Sequence, residues 1–328
     1  GTGDGQWADR IEKAIFNAGF GAITKDFRTM QYFSCPNQFI ATGNSNHNDF
    51  KKGLTWMAYR PVHETECCIG NLHRYFPNYV ARMWLKDENG HPVAALYGPS
   101  SVTYDLGDGL VVKIKEKTAY PFEEQIDFEF EFYKDGRKSK DAHLMDFTYR
   151  IPGWCKSSDI SGFHTVSKEW TSGDVFTVAL PMDVEVVANP VEGMCIQRGP
   201  IVYSYAIPAD CEEDTEVYDY LAGKASANPD FKCWNMTPAG KWNYALVEDN
   251  LDDLKVSFTG ASGFPFDLEN VPVKITVPVV GVEGWTLVED RYTPALPETV
   301  VPESEEVTYI DLVPYGSTTL RLTTFPVY

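Results

Sequence analysis

The sequence predicts a mainly β protein, with two antiparallel β-sandwiches in tandem behind a short helical segment. The clearest observation is the segment 126–132, where four large apolar residues alternate with three acidic ones. This period of two places aromatic side chains on one face of a strand and carboxylates on the other. Further short strands, separated by turns rich in Gly, Pro, Asp and Asn, are expected at 110–114, 147–151, 175–180, 201–207, 273–277, 309–313 and 319–323.

Two amphipathic helices are expected before the strands. Between residues 5 and 20, apolar residues recur at helical spacing, and Glu12 is expected on the solvated face. A second helix follows residues 67 and 68 and runs towards Trp84, with Pro77 either kinking it or marking its first regular turn. The loop 37–53 between them is rich in Asn, Ser and Gly, a composition typical of an active-site loop or of disorder.

These patterns divide the chain into a helical segment 1–84, a first sandwich 85–190 and a second sandwich 191–328. The seam is expected in the Pro-containing stretch 183–193. Two helices bury too little apolar surface to close a core alone. The first segment must therefore pack on the sandwiches or belong to a larger helical domain.

Charge and composition narrow the possible ligands. The chain has 28 basic and 47 acidic residues, a net charge of −19, so its field repels phosphates and argues against a nucleic-acid partner. No apolar stretch approaches the roughly 18 residues of a membrane span. An acidic chain with 8 Trp and 18 Tyr suits neutral carbohydrate ligands. Aromatic residues are also common in sandwich cores, which is the interpretation we prefer for most of them.

Chemistry is most strongly indicated at the adjacent cysteines Cys67 and Cys68. Seven cysteines at irregular spacing exclude a disulfide framework, and a disulfide between adjacent residues strains the peptide between them. The pair precedes a predicted helix, with His73 and Arg74 about one turn further on. Helix N-termini and cations lower thiol pKa values, which favours a nucleophile or a zinc ligand.

Other side chains near the pair in sequence could complete a four-coordinate zinc site. They are Cys35, His63, Glu64, Glu66 and His73. No Cys-x-x-Cys or His-x-x-x-His pair occurs, and adjacent free cysteines are often small buried hydrophobes. Spacing alone therefore leaves a reactive pair and an inert core pair as open alternatives.

Several sequence motifs resemble those of a known family. The run Glu66-Cys67-Cys68-Ile69-Gly70-Asn71, followed by Arg74, resembles the Cys-Cys-x-x-Asn-x-x-Arg signature of glycoside hydrolase family 127, the β-L-arabinofuranosidase family. Segments 11–17, 31–37, 150–154 and 198–203 are also similar to family motifs, so the resemblance touches most of the chain.

The resemblance implies an (α/α)₆ barrel with the active site, followed by two β-sandwiches, so that residues 1–84 would be the tail of the barrel. It implies retaining hydrolysis by a zinc-bound cysteine thiolate with a glutamate as acid/base. Cys67 matches the nucleophile and Cys68 a zinc ligand. The ligand set is incomplete by comparison, because Thr65 stands where the family has a further cysteine; Cys35 is our candidate to replace it.

Glu66 is our candidate for the acid/base. A carboxylate beside a thiolate has its pKa raised by like charge, as a general acid requires. The candidates for substrate binding are His63, Asn71, His73 and Arg74.

The leading hypothesis is therefore the C-terminal portion of a glycoside hydrolase that acts on plant or microbial glycans in a secreted or periplasmic bacterial system. In this hypothesis the chain alone lacks much of the sugar pocket. The alternative is a non-catalytic module that binds carbohydrate or braces the barrel, with structural cysteines. A third possibility is a structural zinc site without catalysis, in which chelation destabilises the protein.

Overall fold

Strands dominate the protein, as the sequence predicts. The computed structural model describes residues 3–47, 57–63, 67–156, 161–215 and 230–328. Its α-helices are α1 (Gln6–Ala14), which a π-helix continues over Ile15–Gly19, and α2 (Cys67–Val80). Short 3₁₀ helices lie at Glu248–Asp253, Leu268–Asn270 and Tyr315–Ser317. No helix in the described ranges is long and apolar enough to cross a membrane.

Each predicted strand overlaps an observed one. In chain order, strands β1 to β21 of the described residues are Asn46–His47, Trp84–Lys86, Pro92–Ala94, Ser100–Gly107, Leu110–Thr118, Gln125–Lys134, Arg137–Lys138, His143–Ile151, Gly162–Trp170, Val175–Ala179, Val184–Ala188, Met194–Arg198, Ile201–Ala206, Ala209–Glu213, Trp234–Pro238, Tyr244–Leu246, Lys255–Phe258, Val273–Gly281, Tyr292–Thr293, Thr308–Pro314 and Arg321–Leu322.

The chain forms two compact units, the first from Gly1–Lys13 and Tyr75–Asp183 and the second from Ala14–Arg74 and Val184–Tyr328. The first contains a five-stranded sheet, β10-β6-β5-β4 with β7 on β6, and a four-stranded sheet, β2-β3-β8-β9. The second contains an eight-stranded sheet, β11-β12-β13-β20-β18-β16 with β17 on β18 and β21 on β13, and the pairs β14-β15 and β1-β19. The predicted boundaries at 84 and 190 stay predictions.

The core of the first unit follows from the alternation in β6. Its four apolar residues are fully buried, and the rings of Phe128 and Phe130 pack against aromatic side chains of the other sheet in the same unit. The centroids of Phe128 and Phe147 are 5.0 Å apart, and those of Phe130 and Trp170 are 4.3 Å apart. Aromatic pairs at such separations stabilise a core beyond their buried area.

Helix α1 is turned differently from the prediction. Glu12, expected in solvent, is fully buried, and that prediction is wrong. Its carboxylate forms an ion pair of 2.6 Å with the buried Arg150 and accepts a hydrogen bond of 2.6 Å from Tyr120. A buried guanidinium requires a counter-charge, so the helix faces Glu12 inwards. Trp7 and Ile11, expected in the apolar stripe, are 53% and 39% exposed.

A second buried carboxylate, Glu116 of β5, lies in the same unit. It accepts hydrogen bonds from the backbone N–H of Gly98 at 3.0 Å and from the Ser100 hydroxyl at 2.9 Å. Burial raises the pKa of Glu116 to about 8, and the charge of Glu12 adds to the shift. The carboxyl group therefore holds its proton far above the pH at which an exposed glutamate loses it.

In the second unit, Arg321 of β21 is fully buried. Its guanidinium donates to the carbonyl oxygens of Gly21 at 2.6 Å and Cys35 at 2.8 Å, and to the Ser34 hydroxyl at 3.1 Å. It also lies over the ring of Tyr315, 4.4 Å from the centroid. These contacts join residue 21 and residues 34–35 to a strand that lies 286 to 300 residues further along the chain.

Removing the Glu12 carboxylate should destabilise the protein strongly. We expect Glu12→Ala to lower the free energy of unfolding by about 3–5 kcal/mol, because it leaves the Arg150 charge buried without this partner. Urea unfolding followed by tryptophan fluorescence measures the change. Glu123→Ala, at an exposed glutamate of the same unit, should change stability by less than about 0.5 kcal/mol. Equal losses in the two variants would contradict the assigned role.

Glu116 should make stability fall as pH rises. Its pKa is raised in the folded state, so between about pH 4.5 and 8 the folded protein binds a proton that the unfolded chain has lost. The contribution of Glu116 to the free energy of unfolding is complete below the pKa that this residue has in the unfolded chain. It is lost as the pH rises to about 8. We expect Glu116→Gln to remove about 1–4 kcal/mol of this pH dependence, measured by urea unfolding at pH 5 and 8. Glu169→Gln, at an exposed site, should keep the wild-type profile.

Candidate active site around Cys67

Cys67 and Cys68 form the first turn of α2 rather than preceding it. Cys67 is exposed and Cys68 is half-buried, and both are free thiols. Their Sγ atoms lie 3.9 Å apart, well beyond the roughly 2.05 Å of a disulfide bond. The unpaired N–H groups at a helix N-terminus favour negative charge, so this position favours a thiolate.

The two thiols differ in which influence is larger, the Tyr32 phenol at Cys67 or burial at Cys68. The Tyr32 hydroxyl oxygen lies 3.4 Å from Cys67 Sγ. This hydrogen bond is the main cause of a lowered pKa for Cys67, and it raises the pKa of Tyr32 to about 12. Burial raises the pKa of Cys68 instead. Tyr32 therefore favours the thiolate form of Cys67, whereas burial favours the protonated form of Cys68, a difference that the sequence did not reveal.

The segment around Tyr32 is held by backbone pairing on both sides. Met30 exchanges two hydrogen bonds with Arg60, of 3.1 and 2.9 Å, and the Gln38 N–H donates to the Arg321 carbonyl at 2.9 Å. The Tyr32 ring also packs edge-on against Phe33, with centroids 5.1 Å apart. Tyr32 thus reaches Cys67 from a fixed backbone.

Cys35, predicted as a zinc ligand, lies in a different environment. Its thiol is buried and donates to the Asn37 carbonyl at 2.9 Å. Burial raises the pKa of this thiol to about 12, so it is a neutral group held by its own turn. A zinc ligand has to be a thiolate, and this surrounding opposes one.

His63 lies on the inner side of the same region. It is buried, and its Nε2 is 2.8 Å from the Met30 carbonyl, so the ring N–H donates there. Its ring centroid is 6.2 Å from that of Tyr32. This places His63 behind Tyr32.

The other predicted substrate-binding residues, Asn71, His73 and Arg74, are exposed on α2. Residues 64–66, with the predicted acid/base Glu66, lie outside the described residues.

The cysteine pair fits two positions of a zinc site. Two thiolates bound to one tetrahedral Zn²⁺ at about 2.3 Å lie about 3.8 Å apart, close to the 3.9 Å observed. Cys35 does not complete the set, because no third described ligand joins the pair. The carboxylates of residues 64 and 66 are the nearest further donors in sequence.

A separate cluster of possible metal ligands was missed by the sequence analysis. Within the described ranges, one group of three has all its ligand atoms within 4.8 Å of one another: Asp87, His91 and Asp146. Asp87 and His91 are four residues apart in a turn, which is a weak signal in sequence. Asp146 joins them only through strand pairing, so sequence spacing could not reveal the cluster.

Comparison with known proteins identifies the family. Residues 1–81 match the family model described as β-L-arabinofuranosidase, GH127 catalytic domain, and residues 93–182 match the GH127 middle domain. A non-reducing end β-L-arabinofuranosidase of Bifidobacterium longum subsp. longum is 21% identical over an alignment of 338 positions that covers 95% of this chain and 43% of that protein. This chain therefore spans less than half the length of that relative.

Solved structures of similar proteins share the fold. A GH127 β-L-arabinofuranosidase from Geobacillus stearothermophilus T6 is similar with a TM-score of 0.62 at 20% identity, over 99% of this chain and 47% of that one. A structure titled glycoside hydrolase gives a TM-score of 0.63 at 17% identity, over 99% and 49%. Together with the two family models, which cover just over half of the residues, these similarities show that the chain belongs to glycoside hydrolase family 127.

Proposed function

We propose that this chain carries the nucleophile side of the active site of a retaining glycoside hydrolase that resembles the β-L-arabinofuranosidases. The observation that carries the proposal is the exposed Cys67 thiol at a helix N-terminus, hydrogen-bonded by Tyr32 at 3.4 Å. Both residues lie within the part that matches the GH127 catalytic-domain model. Carbohydrate is the substrate class that the family supports.

The architecture of the whole enzyme is part of the same proposal. The chain spans 43% of the length of its curated relative. In this proposal, the complete activity and the binding of its substrate therefore require further domains. Residues 1–84 would be the tail of an (α/α)₆ barrel, with tandem β-sandwiches at 85–190 and 191–328. The match of 93–182 to the family's middle domain supports the second boundary in this scheme. The secreted or periplasmic location stays a prediction.

The chemistry assigned to the chain begins with the thiolate. Cys67 Sγ attacks the anomeric carbon while a general acid protonates the leaving oxygen, and water then displaces the sulfur with a second inversion, so the configuration is retained. The Tyr32 hydroxyl stabilises the thiolate before attack and moves no proton to the sugar. Glu66 is the proposed acid/base, by its position beside the nucleophile.

Zinc is proposed as the cofactor, with Cys67 and Cys68 as two of its ligands. When bound, zinc supplies a Lewis acid that keeps thiolates ionised near neutral pH. Cys68 needs such help, because burial raises its pKa. With Glu66 proposed as the acid/base, Glu64 is the nearest further carboxylate in sequence to complete the set, whereas the neutral, buried Cys35 is poorly suited.

Replacing Cys67 should abolish hydrolysis. We expect Cys67→Ala to lower kcat on 4-nitrophenyl β-L-arabinofuranoside by about 10³-fold or more, since the covalent step loses its nucleophile. The assay is run on this chain and on any longer gene product that contains it. Cys211→Ala, at another exposed thiol, should retain full activity. Undiminished activity of Cys67→Ala would remove cysteine from the mechanism, and no activity in any wild-type form would favour a non-catalytic module.

Removing the Tyr32 hydroxyl should make Cys67 less reactive. The phenol hydrogen bond favours the thiolate, so Tyr32→Phe raises the pKa of Cys67 and reduces the thiolate fraction at pH 7. We expect alkylation of Cys67 by iodoacetamide to slow by about two- to ten-fold, as measured by peptide mass spectrometry. Cys211 in the same sample is the internal control and should react at an unchanged rate. An unchanged Cys67 rate would show that Tyr32 does not activate it.

A further inference from the structure

The cluster of Asp87, His91 and Asp146 lies where a turn meets a neighbouring strand in the first unit. The turn 87–91 joins β2 to β3, and Asp146 belongs to β8, which pairs with β3. The side chains of the three residues are 25%, 28% and 33% exposed. His91 Nδ1 lies 3.7 Å from a carboxylate oxygen of Asp87 and equally far from one of Asp146. The three groups therefore converge on one point.

The imidazole nitrogen at this point is buried without a hydrogen-bond partner. His91 Nδ1 has almost no accessible surface, and no described residue hydrogen-bonds to it. The two distances of 3.7 Å exceed the range of about 2.7–3.2 Å for a hydrogen bond. A buried polar atom left unsatisfied costs stability. A cation between the nitrogen and the two carboxylates would satisfy all three groups.

The backbone orients the Asp87 carboxylate for such a role. Its Oδ1 accepts hydrogen bonds from the N–H groups of Asn89 at 2.9 Å and His91 at 2.8 Å. The other oxygen, Oδ2, is the one that faces His91 Nδ1. Ligand bonds of about 2.0–2.2 Å in a tetrahedral site place neighbouring donor atoms about 3.3–3.5 Å apart. The two observed distances from His91 Nδ1 to the carboxylates need to contract by only a few tenths of an ångström.

We propose that Asp87, His91 and Asp146 bind a divalent transition-metal cation of the Zn²⁺ or Mn²⁺ class. One imidazole and two carboxylates favour these ions over Cu(I), which prefers sulfur, and over Ca²⁺ and Mg²⁺, which prefer oxygen alone. The ion would join the β2–β3 turn to β8. This site is independent of the proposed hydrolase function, because it uses none of the residues assigned to that function.

Manganese is the better probe, because the thiols of Cys67 and Cys68 would compete for zinc. The EDTA-treated protein is titrated with MnCl₂, and free Mn²⁺ is measured by electron paramagnetic resonance. We expect one bound ion, and a loss of affinity of at least about ten-fold in Asp146→Asn and in His91→Gln. Asp141→Asn, which removes an exposed carboxylate from the same unit, and Cys67→Ala should bind as the wild type does.

A second measurement does not depend on the stability of the variants. In protein labelled at its 6 histidines, substoichiometric Mn²⁺ should broaden the His91 imidazole resonances first. Absence of binding up to millimolar Mn²⁺, or equal binding by Asp146→Asn and the wild type, would overturn the proposal. So would His91 resonances that respond to pH but not to Mn²⁺, since a protonated His91 would then bridge the two carboxylates without a metal.

Discussion

The structure of the second unit depends on the hydrogen bonds that the buried guanidinium of Arg321 donates. Its donors are taken up by carbonyl and hydroxyl oxygens of the segments at Gly21 and 34–35, and its charge lies over the Tyr315 ring. Neutral acceptors satisfy such a group only when several are fixed at once. Arg321 therefore immobilises the chain next to Tyr32, and the hydrogen bond from Tyr32 to Cys67 depends on a contact made nearly 290 residues away in sequence.

The first unit also buries a guanidinium, but there a carboxylate neutralises the charge. Arg150 is buried like Arg321, but its guanidinium pairs with the carboxylate of Glu12 at 2.6 Å. This pair decides which face of α1 is buried, against the hydrophobic pattern that would bury Trp7 and Ile11. Both units thus place a cation in the core, and in each the cation positions a short segment that local propensity alone would leave loosely specified.

The sequence was most informative where a pattern is local. The alternation with a period of two predicted strand β6 and the burial of its four apolar residues. The Cys-Cys run predicted the position of the candidate site. Strands such as β14, exposed at every residue, carry no alternation and were missed. The burial of Glu12, the contact of Tyr32 with Cys67 and the approach of Asp146 to His91 each join residues at least 35 positions apart. No periodicity or spacing rule encodes such pairs, because tertiary packing creates them.

Two adjacent, chemically identical residues acquire different properties from this packing. Successive residues of a helix point about 100° apart, and here Cys67 is exposed while Cys68 is half-buried. Tyr32 then favours a thiolate at the first position, and burial favours a neutral thiol at the second. In the proposed mechanism the protein itself therefore favours ionisation of the nucleophile, whereas ionisation of Cys68 would be favoured by a bound cation.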